Sequence, residues 1–191
     1  MKIELKIVNF LAIEGKEFTI SEIARKLDEY YSFVHRIIGR LVKEGVVKKR
    51  KAGMAYLCSL NFSEKALTML KLAELEKKDE LYTKNKQLKL ILEDFLKPLE
   101  NKLITAVLFG SYSKDVQTKE SDIDILLITK DKAGIDKAVK EIYAKYGKEI
   151  SAVSMTEAEF AKQEEKPVIK EIVKYHHVIL GVDKFVNMLF G

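Results

Sequence analysis

The chain has 191 residues, 47% hydrophobic and 33% charged, with two prolines and one cysteine. That length and composition suit one or two globular domains; they exclude a disordered chain and a disulfide-stapled one, and fit a reducing cytoplasm. The amino-terminal MKIELKIVNFLAIEG carries Glu4 and Lys6 within its apolar pattern, unlike a signal peptide, and no apolar run nears the roughly 20 residues of a bilayer span, so no membrane partner is expected.

The net charge of +5 is uneven. Residues 1–62 carry 12 Lys and Arg against 7 Asp and Glu, whereas the remainder carries 22 of each, so the whole excess belongs to the first third. Such asymmetry implies two domains, the first facing a polyanion.

In chain order, Ile3 to Ile13 predicts a helix closed by Gly15. A second follows in FTISEIARKLDEY, capped by Thr19 or Ser21. In YSFVHRIIGRLVKEG the residues Phe33, Val34, Ile37, Ile38, Leu41 and Val42 form a buried stripe, with Gly45 as the carboxy-terminal cap. VVKKRKAGMAYLCSL alternates on either side of Lys51-Ala52-Gly53 and predicts a β-hairpin. Three helices and a basic hairpin in this order resemble a winged helix-turn-helix domain over residues 1–62. That resemblance implies double-stranded DNA as partner. Tyr31, Ser32, His35, Arg36 and Arg40 would be shown to the major groove, and Lys48, Lys49, Arg50 and Lys51 to phosphates. Cys58, in the hairpin, is expected to be an inert small side chain.

Residues 63–87 predict a helical connector starting after Ser63 and free of Gly and Pro, and its Lys77–Gln87 stretch is nearly all polar. Packing positions are Leu67, Leu70 and Ala73, then Leu88, Ile91, Leu92, Phe95 and Leu96. A second domain, 88–191, is expected to hold a small mixed sheet with flanking helices, making the whole α+β.

LITAVLFGS is a buried strand ending in a Gly-Ser turn, and SDIDILLIT is a second such strand. Alternation puts Asp122 and Asp124 on one face, where paired carboxylates repel unless a cation lies between them. Mg²⁺ or Mn²⁺ suits such oxygen ligands and leaves positions for phosphates.

Gly110-Ser111, Lys114 and Ser121-Asp122-Ile123-Asp124 resemble the motif of the DNA polymerase β-like nucleotidyltransferases. The resemblance implies transfer of a nucleoside monophosphate from an NTP, with ATP the expected donor, to an acceptor hydroxyl. By position, Gly110, Ser111 and Lys114 would bind nucleotide, and Asp122 and Asp124 would carry metal and catalysis. Asp115 stands where the resemblance implies glycine, and the family's third carboxylate aligns with Ser151 in GKEISAVSM, so Glu149, on the same face, is either the substitute catalytic acid or a surface residue at the strand edge.

The tail predicts a helix from Thr156, a break near Pro167, a helix to Tyr175, a strand HVILG and a last helix. His176-His177 lacks the companions of a zinc set, and Tyr143 and Tyr146 could be self-modified but fit a half-buried helix face better. The chain is therefore expected to be a DNA-tethered nucleotidyltransferase acting on a protein or small molecule. The alternatives are a transcription regulator whose degenerate enzyme domain senses nucleotide or forms a homodimer, and an adenylylating antitoxin-type partner.

Overall fold

A computed structural model describes residues 1–163 and 166–191. Glu164 and Glu165, which the sequence places before the break near Pro167, lie outside the described residues. The chain divides into two compact units, Met1–Glu76 with Val186–Gly191, and Lys77–Phe185.

The first unit opens with α1 (Ile3–Glu14), whose Leu5, Ile7, Val8, Leu11 and Ala12 are buried and which stops where Gly15 turns left-handed. A two-residue strand β1 (Phe18–Thr19) leads into α2 (Ile20–Lys26). Thr19, and not Ser21, is the cap: its hydroxyl accepts from Glu22 N–H and its own N–H donates to the Glu22 carboxylate at 2.7 Å. On α3 (Tyr31–Lys43) the buried stripe narrows to Val34, Ile37, Ile38 and Leu41, with Phe33 and Val42 half-buried at its margins. Strands β2 (Val47–Ala52) and β3 (Ala55–Leu60) form the hairpin, turning through Gly53 and Met54; β3 lies between β1 and β2 in an antiparallel three-stranded sheet. Cys58 is fully buried there, and burial pushes its thiol up, so it is unreactive as the sequence implies.

Helix α4 (Glu64–Lys84) runs on through the polar stretch as far as Lys84, and α5 (Lys86–Leu96) restarts after Asn85 caps Leu88 N–H. Ala66, not Leu67, is the fully buried residue of the first α4 turn; Leu67 is half-buried. A single 3₁₀ turn (Lys97–Leu99) then precedes β4 (Leu103–Phe109).

In the second unit, β4 is followed by a one-turn helix α6 (Gly110–Ser113) and then by β5 (Ile123–Thr129). Helix α7 (Ile135–Tyr146) crosses over to β6 (Ile150–Met155). The remaining elements are α8 (Glu157–Gln163), α9 (Pro167–Lys174), β7 (His177–Leu180) and α10 (Val182–Phe190), the last counted with the first unit from Val186 onward. The sheet order is β6-β5-β4-β7, with β5 and β6 parallel and the other pairs antiparallel: the small mixed sheet the sequence implies. A parallel pair needs a covered crossover, which α7 supplies.

Alternation along β5 sends Ile123, Ile125 and Leu127 into a core with Leu88, Leu92 and Phe95 of α5 and Ile135, Ala138 and Ile142 of α7. The opposite face carries Asp124, Leu126 and Ile128; Leu126 and Ile128 are fully buried, whereas Asp124 lies at the open end beside Phe109. One strand therefore packs a core on one face and holds a carboxylate out of the other.

Candidate active site

The site is assembled where β4 ends. Phe109 is the register partner of Asp124, and the chain must leave β4 over that carboxylate. It does so through Gly110 at φ +70°, and a Cβ built on Gly110 would stand 2.0 Å from Asp124 Oδ2. Only glycine satisfies both the left-handed backbone and the close approach. The Gly110–Ser113 turn that follows is cross-tied: Ser113 Oγ lies 2.9 Å from the carbonyl of Gly110 and donates to that of Tyr175, also at 2.9 Å. Ser111, half-buried, accepts through its carbonyl from the N–H groups of Lys114 and Val116.

Asp122 is exposed, one residue before β5, while Asp124 is half-buried. Burial first, and the neighbouring Asp122 charge second, push the Asp124 carboxyl above its ordinary value. The Asp122 charge thus opposes the ionisation of Asp124, as the spacing predicts. On the other side of β5, Ser151 is the register partner of Asp124. Glu149 is exposed just before β6, its carbonyl accepting from Ile123 N–H at 3.0 Å. Among the described residues no three Asp, Glu, His or Cys side chains gather in metal-binding geometry.

A cavity of about 170 Å³ opens on this face, lined by Gly110, Lys114 and Asp124 from the motif and by Val168, Glu171, Ile172 and Tyr175 from α9 and its end. Lys114, expected to meet phosphate, has its ammonium 2.5 Å from Glu171 and 5.4 Å from the centre of the Tyr175 ring. Asp115 adopts φ +59°, a backbone conformation that favours glycine; its carboxylate pairs with Lys84 at 3.5 Å and does not line the cavity. The α9 contribution was missed in the sequence, although residues 168, 171, 172 and 175 recur at helical spacing after Pro167, which marks the helix start.

Two carboxylate oxygen donors, with Asp124 raised by burial and then by Asp122 and lining the open cavity, are of a chemistry that suits a hard divalent cation. A glycine turn is thus locked over a carboxylate at the end of a mixed sheet. The nucleotidyltransferase domain family matches residues 86–180, and the chain belongs to that family, whose members work on a nucleoside triphosphate with a divalent metal. It is 31% identical over 112 residues to a candidate protein adenylyltransferase of Methanocaldococcus jannaschii, covering 52% of this chain and 76% of that one. No solved structure matches.

The Lys114–Glu171 pair carries a prediction. Glu171 is held below the usual carboxylate range by its hydrogen bond to Lys114, so the stability it lends is present above the unfolded carboxyl's pKa and is lost as pH falls through the folded value. Glu171→Gln frees the ammonium. Triphosphate is therefore expected to bind about two- to fivefold tighter in the variant, measured by calorimetry at neutral pH.

The sequence's other candidate residues lie in the first unit. Tyr31, Ser32, His35, Arg36 and Arg40 are all exposed on α3, and Lys48, Lys49, Arg50 and Lys51 are exposed on β2. Two of the arginines have carboxylate partners: Arg40 meets Glu4 at 3.2 Å, and Arg50 makes a two-pronged pair with Glu17, its Nε lying 2.6 Å from Oε1. Lys49 lies over the Tyr56 ring at 4.3 Å. Among the described residues no helix is long and apolar enough to cross a membrane.

Proposed function

We propose that the chain is a divalent-metal-dependent nucleotidyltransferase that moves a nucleoside monophosphate from an NTP, ATP foremost, to a hydroxyl on a protein. The observation that carries this reading is the interlock of Gly110 with Asp124 at the mouth of the cavity. A protein acceptor is supported by the name of the archaeal relative. Asp122 and Asp124 would hold the metal, which when bound neutralises the phosphates and orients the leaving pyrophosphate. Ser111 and the backbone of its turn would take the terminal phosphates, and Lys114, once released from Glu171, would supply positive charge beside them. Glu149 is the acid that would complete the set, by turning its side chain inward from the edge of β6.

The exposed basic face of α3 and β2 supports a winged helix bound to double-stranded DNA, and so an enzyme or regulator at work on the chromosome. Replacing Lys48, Lys49 and Lys51 together with alanine is expected to lower the slope of log affinity against log salt by about one for each phosphate no longer neutralised, read by fluorescence anisotropy on duplex DNA. An unchanged slope would remove the hairpin from the interface.

A second reading, a regulator whose domain binds nucleotide without transferring it, is favoured by Ser151 standing level with Asp124 where the family has an acid. The deciding experiment incubates the chain with each NTP and Mg²⁺, following thermal stability and pyrophosphate release together. A shift with release supports the enzyme, a shift without release supports the sensor, and neither sinks both.

A further inference from the structure

We infer that Tyr175 is itself an acceptor, so that the chain carries a site of self-nucleotidylation inside its own cavity; this rests on the transfer reading above. Eight tyrosines are present, five of them in the second unit. Tyr112 is buried, and Tyr82 is half-buried with its phenol pushed up to about 12, chiefly by burial. Tyr146 donates its hydroxyl to Asp94 at 2.5 Å, and Tyr143 is exposed on α7, away from the cavity lining. Tyr175 lines the cavity with Asp124 and is 42% exposed, the one tyrosine of this unit that is both exposed and at the cavity among the described residues.

Its position is held by the site's own turn. Ser113 Oγ donates to the Tyr175 carbonyl at 2.9 Å and contacts the Gly110 carbonyl at the same distance, while Tyr175 N–H donates to the Glu171 carbonyl at the end of α9. The ammonium groups of Lys114 and Lys174 both lie over the ring, 5.4 Å from its centre. Cations over the ring compete with a stacking base, which leaves the hydroxyl as the group the ring offers. An acceptor fixed beside the reacting phosphate makes the transfer effectively unimolecular.

In the step, the Tyr175 phenolic oxygen attacks the α-phosphorus of the NTP. A phosphorus–oxygen bond to tyrosine forms, the bond between the α-phosphorus and the bridging oxygen to the β-phosphate breaks, pyrophosphate leaves with that electron pair, and the phenolic proton passes to water. No oxidant or further reactant is needed.

The test incubates the full chain with each NTP and Mg²⁺ and reads intact mass, peptide mapping and thermal shift. Tyr175→Phe, Tyr143→Phe and Asp122→Asn/Asp124→Asn are run beside the wild type. The expected result is one monophosphate adduct on Tyr175, kept in Tyr143→Phe, lost in the double aspartate variant, and lost in Tyr175→Phe while that variant still gives the nucleotide-dependent shift. The rate per molecule should not change with protein concentration, because the acceptor lies in its own chain's cavity. A thermal shift with no adduct, an adduct elsewhere, or a rate rising with protein concentration overturns the assignment and leaves nucleotide binding standing. Neither shift nor adduct overturns both readings.

Discussion

Asp124→Asn is expected to abolish nucleotidyl transfer while making the nucleotide-free protein more stable at neutral pH. The two effects have one cause. Asp124 is half-buried next to Asp122, so its folded carboxyl binds a proton more readily than the ordinary value of 3.8 allows. Its contribution to stability is therefore fully present below the unfolded pKa and is lost as pH rises through the raised folded value. Asparagine keeps the shape and removes the repulsion, so the variant's melting temperature should exceed the wild type's at pH 7, and the gap should close toward the acid side. Divalent cation should raise the melting temperature of the wild type and leave the variant unmoved. Loss of metal placement is worth several kcal/mol, so pyrophosphate release should fall by about a thousandfold, or roughly 4 kcal/mol. A variant that is both active and less stable would break the assignment of Asp124 as a metal ligand. Functional carboxylates held at a cost to the fold are a common form of stability–activity conflict.

Gly110→Ala should be about as damaging to transfer and, unlike Asp124→Asn, also destabilising. The backbone there is at φ +70°, and the added Cβ meets Asp124 Oδ2 at 2.0 Å and Cγ at 2.7 Å. Left-handed strain plus a forced shift of the carboxylate is expected to cost about 2–4 kcal/mol in urea unfolding. Gly134→Ala is the matched control: φ is +94°, but the nearest atom to its Cβ is Leu99 Cδ2 at 3.7 Å, an ordinary contact. It should lose only the conformational part, about 1 kcal/mol, with transfer intact. Combining Gly110→Ala with Asp124→Ala removes the clashing carboxylate, so the double variant should be more stable than the two single effects predict. Strict additivity would mean that the two residues do not interlock.

How much of this was readable beforehand differs by element. The strands around Gly110 and Asp124 were legible because a buried strand needs a continuous apolar run; one run stops at Gly110 and the other starts at Asp122 and Asp124. The helices of the first unit were legible from spacing and caps, yet Thr19 rather than Ser21 took the cap, since only Thr19 stands three residues before a glutamate that can return the bond. The polar stretch after Lys77 reads as linker or exposed helix by composition, and α4 continues through it to Lys84, since polar residues such as Lys and Glu are good helix formers and nothing breaks the helix before Asn85.

The sequence alone determined the chemistry on offer: which strand carries two carboxylates, that they share a face, and that a glycine turn precedes them. Local patterns suffice for these, because they depend on the two-residue repeat of a strand and on the backbone freedom of one residue type. Only the tertiary structure decided what meets that chemistry. Glu171 and Tyr175 lie some fifty residues or more from Lys114 and about as far from Asp124 in the chain, and nothing in the sequence says which face of α9 turns toward the cavity. Packing settles it: Ile169 and Ile172 are buried, and their burial turns Val168, Glu171 and Tyr175 toward Lys114 and the carboxylate.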